Sequence, residues 1–354
     1  MKIALVTDAW HPQVNGVVRT LDTVIGLLRK GGHEILVISP DQYRSIPAPS
    51  YPEIRLSFAR ARTIGKRIEA FGADAVHLAT EGPLCIQARR WCRRKGRPFT
   101  TAYHTQFPEY LAKRTRLSPR IFWPYIRWFH QRSEAIMVST ESVRNQLRGE
   151  NLRHIHHWSR GVDLENFRAD APPPKQYEQL ARPIQLYVGR VAIEKNIEAF
   201  LDSNQPGSKV VVGDGPALAG LKARHPEVHF AGRKSGPALA GYYAGADVFV
   251  FPSKTDTFGL VIIEALACGT PVAAYSVTGP VDILTAESGA MDDDLNIAIA
   301  RALKLDSADC IAHGKKYSWD ASASQFFDGL VSQDLRPDCH MSRRILAKAI
   351  FARV

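Results

Sequence analysis

Short apolar runs alternate along the chain with longer apolar stripes of helical spacing. Residues 3–7 predict a first buried strand, and the stripe from Val17 to Leu28 predicts the helix that follows it. Strands that alternate with helices in this order are typical of a doubly wound α/β sheet. Further strand patterns recur at 34–38, 53–56, 75–79, 99–103 and 135–139.

A second alternation begins at Ile184, after a proline linker at 172–174. The chain has 354 residues, and a single hydrophobic core stops growing near ~250 to 300 residues. We therefore expect two sheet domains, an N-terminal one over residues 1–170 and a C-terminal one over residues 171–315. Strand patterns of the second domain lie at 184–188, 209–212, 228–231, 247–251 and 271–275.

The segment Pro252–Val272 carries the clearest indication of a binding site. It continues the 247–251 strand through a polar loop into an apolar helix, with Gly259 at the transition. A helix that starts at the carboxyl end of a parallel strand favours a phosphate. Asp256 in the loop and Glu264 in the helix then suit the ribose and sugar hydroxyls of a nucleotide, because carboxylates accept such bonds. The alternative is that Asp256 caps the helix and Glu264 lies on a solvated face.

Other strand-to-helix loops carry residues of related chemistry. Arg190 and Lys195 follow the 184–188 strand and can hold a diphosphate, although Lys195 could instead pair on a helix face. Gly16 lies in a loop where a missing Cβ lets a ligand approach the backbone, and Gly213 lies in a second glycine loop. Neither loop completes the dinucleotide fingerprint G-x-G-x-x-G, which disfavours an oxidoreductase.

His104 closes the 99–103 strand and is expected to point into the same cleft as Gly16. The alternative is a core or capping histidine. No metal is expected at His154, His156 and His157, because no carboxylate or cysteine lies at ligand spacing from them.

The net charge of +11 is concentrated in the first half of the chain. Residues 84–153 contain fifteen Lys and Arg against four Glu, a charge that suits nucleic acid, an anionic membrane or a phosphorylated substrate. The segment 119–132 interleaves aromatics with arginines, as at the headgroup level of a bilayer, although its aromatics could equally form core. No nucleic acid partner is expected, since no recognition motif accompanies the charge. The candidate membrane or acceptor face comprises Arg114, Arg116, Trp123, Tyr125, Arg127 and Trp128.

Cysteine usage and hydropathy indicate the compartment and the character of the termini. The cysteines at 85, 92, 268, 310 and 339 show no C-x-x-C spacing and are expected to be free thiols in a reducing cytoplasm. The start of the chain predicts a strand rather than a signal peptide, and no apolar run reaches the ~18 residues of a spanning helix. Residues 334–354 predict a basic amphipathic tail.

Taken in order, these motifs resemble the retaining glycosyltransferases of family 4, nearest to bacterial enzymes that glycosylate diacylglycerol or phosphatidylinositol-type lipids. The resemblance covers Met1 to about Leu330 and implies the GT-B architecture, two facing Rossmann-like domains with an interdomain cleft. It also implies that a helix over residues 316–333 crosses back to the first domain. The motifs are TDAWHPQVNGVVRTL, YHTQFPEY, RGVD, GRVAIEKN, VGDGP and PSKTDTFGLVIIEALACGTPV.

The resemblance assigns roles to individual residues. It implies that Gly16 lies near the donor phosphates and that His104 contacts the donor sugar. The family's E-x7-E pair here reads Asp256 and Glu264, which leaves the donor sugar open. The implied catalytic residues are His104, Arg190, Lys195 and Asp256. The implied donor-binding residues are Gly16, Arg190, Lys195, Gly213, Asp256, Phe258, Gly259, Leu260 and Glu264.

The expected activity is transfer of a hexose or hexuronic acid, with retention and without metal or other cofactor. The expected donor is a UDP-sugar and the expected acceptor is a lipid such as diacylglycerol, at an anionic membrane surface. This places the protein in the cytoplasm, peripheral on the inner face of the cell membrane. A GDP-mannose-dependent mannosyltransferase is the alternative, and a nucleotide-sugar-binding module without turnover is the alternative from another class.

Overall fold

The computed structural model describes residues 1–13, 15–48 and 51–330, with backbone alone at 48, 51–54, 110, 113 and 114. The chain divides into two compact units. Unit 1 comprises Met1–Ser159 together with the chain from Trp319 onward, and unit 2 comprises Arg160–Ser318. The boundaries thus lie at 159/160 and 318/319, where the sequence had indicated 170/171 and 315/316. The predicted tail 334–354 and Cys339 lie outside the described residues.

Unit 1 is built on a parallel sheet of six strands in the order β2-β1-β5-β6-β7-β8. The order changes direction at β1, which pairs with β2 on one side and with β5 on the other. The strands are β1 (Lys2–Val6), β2 (Glu34–Ile38), β3 (Ser45–Ala48), β4 (Tyr51–Ser57), β5 (Ala75–Leu78), β6 (Thr100–Ala102), β7 (Ile136–Val138) and β8 (Ile155–His157). The helices are α1 (Gly16–Lys30), α2 (Ala61–Phe71), α3 (Pro83–Lys95), α4 (Phe107–Thr115), α5 (Trp123–His130) and α6 (Glu141–Gly149).

Strand β1 shows why this sheet is covered on both faces. Ile3 and Leu5 pack in one apolar cluster with the buried stripe of α1, whereas Ala4 and Val6 pack in another with residues of α2 and α3. Successive side chains of a strand point to opposite faces, so a continuous apolar run requires a helix layer on each side. The sequence prediction of a doubly wound sheet is confirmed.

One strand pattern was assigned to the wrong sheet. The run at 53–56 belongs to β4, which pairs antiparallel with β3 in a separate two-stranded sheet. The segment around it contains prolines at 47, 49 and 52, and proline removes a donor that a central strand needs.

Unit 2 contains a second parallel sheet, in the order β11-β10-β9-β12-β13-β14. Its order reverses between β9 and β12, and ligands of such open sheets bind beyond the carboxyl ends of the strands at this point. The strands are β9 (Ile184–Val188), β10 (Ser208–Val212), β11 (His229–Gly232), β12 (Val248–Phe251), β13 (Val272–Ala274) and β14 (Gly289–Met291). The helices are α7 (Ile197–Leu201), α8 (Leu218–Arg224), α9 (Gly236–Ala244), α10 (Leu260–Ala267), α11 (Pro280–Ile283), α12 (Leu295–Ala302) and α13 (Ser307–Gly314).

The last described helix, α14 (Trp319–Gly329), belongs to unit 1. Its Phe326 packs on Trp158, with ring centroids 4.8 Å apart. The Trp158 indole N–H donates to the Ser322 hydroxyl at 3.1 Å, and the backbone N–H of Ser159 donates to the Gln325 side chain at 2.7 Å. These contacts make α14 part of the unit 1 core.

Candidate functional site

Three loops of unit 2 meet at the reversal point of its sheet. We call them the β9 loop (residues 189–196), the β10 loop (213–217) and the β12 loop (252–259). The first and third follow the two strands between which the order reverses. Lys195 of the β9 loop is therefore placed opposite Asp256 of the β12 loop, and Arg190 lies on the same loop as Lys195.

The β12 loop ends in a helix start whose dipole favours an anion. Gly259 adopts φ 91°, and a Cβ there would lie 3.1 Å from the Phe251 ring, so glycine is required at this turn. Helix α10 begins at Leu260, and its N-cap residue is this glycine, which has no side chain to accept a bond from the first amides. Helix α1 differs, because the Asn15 side chain accepts bonds from the first amides at 3.0 Å. The dipole of α10 therefore favours a negatively charged ligand at its amino terminus.

The β9 and β10 loops pack backbone against backbone. A Cβ on Gly213 would lie 1.8 Å from the carbonyl oxygen of Gly189, and one on Gly215 would lie 2.4 Å from that of Val191. The amide of Val191 donates to the Asp214 carbonyl at 2.9 Å. The resemblance places Gly213 among the donor-binding residues, and the structure shows that the neighbouring β9 loop requires a residue without Cβ at this position. Gly213 acts on the site by holding the β9 loop in place.

Lys195 and Asp256 form an ion pair across the reversal point, with Nζ and Oδ1 2.6 Å apart. Both side chains are about three-quarters buried, at 25% and 23% exposure. The Asn196 side chain also donates to the Pro252 carbonyl at 3.1 Å, which ties the same two loops together. The alternative that Lys195 pairs on a helix face is wrong, since its partner lies in another loop. A diphosphate entering this site would compete with Asp256 for the lysine.

Arg190 is half-buried at the start of the β9 loop. Its carbonyl accepts the hydroxyl of Tyr187 at 2.8 Å, which fixes the backbone where the arginine begins. Burial raises the pKa of Tyr187 well above its usual value, and the nearby carboxylates of Asp256 and Glu194 raise that pKa further. Tyr187 is therefore a neutral hydrogen-bond donor beneath the site.

Glu264 lies inside unit 2, with 2% of the residue exposed. The hydroxyl of Tyr243, in α9, donates to its Oε2 at 3.0 Å. Burial, and then the charge of Glu264, raise the pKa of the Cys268 thiol to about 12. The solvated-face alternative for Glu264 is thus wrong. Sequence reasoning missed Tyr243, although a carboxylate between apolar helix positions signalled that a partner was needed.

Two further residues shape the start of α10. Phe258 is buried, and its ring packs edge-on against Tyr317 at 5.9 Å, while Leu260 is half-buried. A Cβ on Gly279, in the loop after β13, would lie 2.9 Å from the Phe258 carbonyl oxygen, and this glycine has φ 96°. Sequence reasoning missed Gly279, whose signal was the Gly-Pro pair before α11. Phe258 therefore serves as packing beneath the loop.

In unit 1, the predicted site residues follow β1 and β6. Gly16 is the exposed first residue of α1. His104 is 9% exposed, and its ring meets Trp158 edge-on at 5.3 Å. Both lie at the carboxyl edge of the sheet, as predicted. Their roles toward a donor stay predictions.

Asp8 is a buried carboxylate at the reversal point of the unit 1 sheet, and sequence reasoning gave it no role. It accepts bonds from the amide of Leu84 at 2.8 Å and from that of Cys85 at 3.3 Å, and so caps α3. Burial raises its pKa, and these amide bonds lower it in part. The start of α3 is therefore occupied by the protein's own carboxylate.

The candidate membrane or acceptor face has a different environment from the one predicted. Trp123 is buried and stacks on Tyr103, with ring centroids 6.3 Å apart, so it cannot meet a bilayer. Tyr125 is half-buried, and its hydroxyl donates to the carbonyl of Glu81.

One basic member of that face, Arg127, is also engaged. Arg127 pairs with Glu150 at 2.6 Å, and the half-buried Trp128 lies under the guanidinium of Arg89 at 4.2 Å. Arg116 is exposed, and the side chain of Arg114 lies outside the described part. The aromatic residues of this segment therefore act mainly as core.

Over the described ranges, no helix combines the length and apolar character needed to cross a bilayer. Across the same residues, no three His, Cys, Asp or Glu side chains are grouped as metal ligands. Cys85, Cys92, Cys268 and Cys310 are buried free thiols, as predicted.

Two family models match the sequence: Glycosyltransferase Family 4 over residues 14–166 and Glycosyl transferases group 1 over residues 182–305. A GDP-mannose-dependent alpha-mannosyltransferase of Mycolicibacterium smegmatis is 32% identical over 308 residues, covering 80% of this chain and 82% of its own. An alpha-monoglucosyldiacylglycerol synthase of Streptococcus pneumoniae is 28% identical over 316 residues, covering 78% of this chain and 71% of its own. A solved sucrose-phosphate synthase from Thermosynechococcus elongatus matches with a TM-score of 0.75 at 22% identity, covering 92% of this chain and 97% of that one.

Proposed function

Since this chain belongs to glycosyltransferase family 4 and has the predicted GT-B fold, we propose that it moves a hexosyl group from a nucleoside-diphosphate sugar to a membrane lipid. The chain is a glycosyltransferase, and its relatives include enzymes named for lipid acceptors. The proposal adds the donor, the acceptor, the stereochemistry and the residues that act.

The observation that carries the proposal is the arrangement at the reversal point of unit 2. The cation of Lys195, the carboxylate of Asp256 and the start of α10 lie on two loops tied by a 2.6 Å ion pair. A cation and a helix amino terminus bind phosphate, whereas a carboxylate repels phosphate and accepts hydroxyls. The pairing of both chemistries in one place fits a sugar joined to a diphosphate.

The chemical step needs charge neutralisation on the leaving nucleoside diphosphate. Arg190 and Lys195, with the amides of α10, supply it in a partly buried site where such interactions are strong. Asp256 then releases Lys195 and accepts a hydroxyl of the transferred sugar. We assign no protein nucleophile, and the departing phosphate takes the proton of the acceptor hydroxyl on the same face of the sugar. Retention of the anomeric configuration follows, and no metal or other cofactor is needed.

We propose a UDP-sugar as the donor, carrying a hexose or a hexuronic acid. GDP-mannose is the second candidate, because a relative at 32% identity is named as dependent on it. Both share the diphosphate and the ribose, so the residues above serve either donor. The two donors differ in their base and in their sugar.

We propose diacylglycerol or a similar lipid as the acceptor, at the inner face of the cell membrane in the cytoplasm. The support is the name of the Streptococcus pneumoniae relative and the basic excess of residues 84–153, with fifteen Lys and Arg against four Glu. An anionic bilayer attracts such a segment. Nucleic acid is not proposed as a partner.

The test is a donor panel of UDP-glucose, UDP-galactose, UDP-glucuronate and GDP-mannose with diacylglycerol vesicles, read by mass and by the anomeric proton. We expect one α-glycolipid, formed equally well in EDTA. Lys195→Met should lower kcat/KM about 100-fold, as for loss of one charge-stabilising group. Lys254→Met is the matched control, because this exposed lysine of the neighbouring β12 loop lies over the Tyr275 ring instead.

Three outcomes contradict parts of the proposal. An inverted product excludes the same-face step, and activity lost in EDTA excludes metal independence. Donor binding without transfer to any lipid or saccharide would leave the binding module as the better account.

A further inference from the structure

Helix α3 has an arginine-rich outer face opposite its buried one. The inner face contributes Leu84, Ala88, Trp91 and Cys92 to the core of unit 1. Arg90, Arg93 and Arg94 are exposed, and their spacing places them on one side of the helix. We call these three residues the α3 arginine face.

The charge of the α3 arginine face is not balanced by neighbouring acids. Among the residues that the structure describes, no carboxylate forms an ion pair with Arg90, Arg93 or Arg94. The next cation along the helix, Lys95, does have such a partner, Glu69, at 3.4 Å. The pKa of the adjacent Arg89 falls to about 10, through burial first and then through repulsion by Arg93 and Arg132. Arg93 and Arg132 thus destabilise the charge of Arg89, and such repulsion favours an anion from outside the chain.

Two cavities open on this surface. The first, of about 300 Å³, is lined by the α3 arginine face together with Arg89 and Trp128. The second, of about 450 Å³, is lined by Phe58, Arg60, Pro83, Ile86 and Arg90, among others. Arg90 lines both, so a strongly cationic pocket adjoins one with an apolar wall.

Phe58 stands at the second cavity with 66% of the residue exposed. An exposed phenylalanine beside guanidinium groups matches a surface that is anionic outside and apolar just beneath. A phospholipid bilayer has both properties, because its phosphates complement the guanidinium groups and its acyl layer accommodates the Phe58 ring. Double-stranded nucleic acid offers the phosphates without an accessible apolar layer.

We propose that the α3 arginine face and Phe58 form the surface by which unit 1 docks on a bilayer of anionic phospholipid. The guanidinium groups bind lipid phosphates, and the Phe58 ring enters the acyl boundary. This inference rests on the proposed function for its biological setting, since it names where a lipid glycosyltransferase meets its membrane. It also moves the docking surface from the predicted face around Trp123 to α3.

The test is flotation of the full chain with phosphatidylcholine vesicles that contain or lack phosphatidylglycerol. The triple variant Arg90→Gln/Arg93→Gln/Arg94→Gln should lower the partition coefficient on anionic vesicles about 100-fold, from roughly five-fold per basic residue near the surface. The matched control, Lys304→Gln/Lys315→Gln/Lys316→Gln, removes the same charge from exposed positions of unit 2 and should bind nearly as the parent does.

A second variant separates insertion from charge. High salt screens exposed charges and should leave a residual binding that depends on Phe58, so Phe58→Ser should abolish the binding that survives salt. If both triple variants lost the same share of binding to anionic vesicles, net charge alone would explain the effect. That result would overturn the proposal. It also fails if the parent ignores anionic vesicles, or if it binds duplex DNA with a steep salt slope and no vesicles.

Flotation requires no turnover, so the two proposals fail separately. A protein that floats on anionic vesicles but transfers no sugar contradicts the proposed function alone. A protein that transfers sugar to a lipid in detergent but never floats contradicts the docking surface alone. In detergent, where no bilayer exists, the α3 triple variant should keep the transfer rate of the parent.

Discussion

The hydrogen bond from Tyr243 to Glu264 should stabilise unit 2 and position a carboxylate that the sequence predicts to accept hydroxyls of the donor. Tyr243→Phe removes only the hydroxyl, which lies 3.0 Å from Oε2 in a buried pair. A hydrogen bond to a charged group contributes about 1.5–3 kcal/mol, and the phenylalanine ring leaves the carboxylate with one partner fewer. We expect a loss of that size in the free energy of unfolding.

The control is the neighbouring Tyr242→Phe on the same helix. The Tyr242 hydroxyl accepts a bond from the neutral Gln176 side chain, so its loss should cost about 0.5–1.5 kcal/mol. Urea unfolding gives both values. The two units can unfold in separate transitions, and both tyrosines belong to unit 2. Both losses should therefore appear only in the transition of unit 2.

Donor affinity provides the functional readout. Calorimetric titration with the nucleoside diphosphate should show weaker binding for Tyr243→Phe, because Glu264 is no longer held in one rotamer, and unchanged binding for Tyr242→Phe. The reasoning is refuted if Tyr243→Phe costs no more stability than Tyr242→Phe, or if it unfolds more easily yet binds the nucleotide as the parent does. Lower stability with unchanged nucleotide binding would mean that the Tyr243–Glu264 hydrogen bond has only a structural role.

Three further predictions follow from the geometry. Asp256→Asn removes the carboxylate that competes with phosphate for Lys195, so calorimetry should show tighter binding of the free nucleoside diphosphate. The transfer rate should fall, because the carboxylate no longer accepts the sugar hydroxyl. Unchanged binding would mean that the ion pair does not compete with phosphate. Burial lowers the pKa of His77 from 6.5 to about 3. As pH falls, this histidine therefore takes up a proton in the unfolded chain before it does so in the folded one. The contribution of neutral His77 to the free energy of unfolding is complete above pH 6.5 and declines between pH 6.5 and pH 3. Urea unfolding should show a loss of about 2 kcal/mol between about pH 7.5 and 5 from this group, absent in His77→Gln. Gly213→Ala should destabilise by more than about 1 kcal/mol, because its Cβ meets the Gly189 carbonyl, whereas Gly26→Ala, in open space on α1, should stabilise by about 0.5–1 kcal/mol; equal thermal shifts would contradict the packing argument.

The local sequence pattern was sufficient to predict those elements whose structure depends on burial alone. The apolar runs located β1 and β9, and Gly259 marked the start of α10 because the turn needs a positive φ that glycine tolerates. The carboxyl ends of parallel strands then indicated which polar residues share an edge. These inferences use only neighbours along the chain.

Pairings between distant segments could not be read in the same way. Lys195 and Asp256 are 61 positions apart, and Tyr243 and Glu264 are 21 apart, so their contacts depend on strand order. The segment around Trp123 shows the same limit, because an aromatic beside arginines has the same sequence pattern whether it faces solvent or core. Only the stacking on Tyr103 distinguishes the two.

The chain leaves unit 1 at Ser159 and returns to it at Trp319, and the two crossings are adjacent, since the amide of Val162 donates to the Tyr317 carbonyl at 3.1 Å. During synthesis, the first sheet therefore waits for its closing helix until the whole of unit 2 has been made. Until then the surface around Trp158 that Phe326 covers is bare. A chain truncated after Ser318 should hence recruit chaperones through unit 1, whose surface around Trp158 lacks its cover.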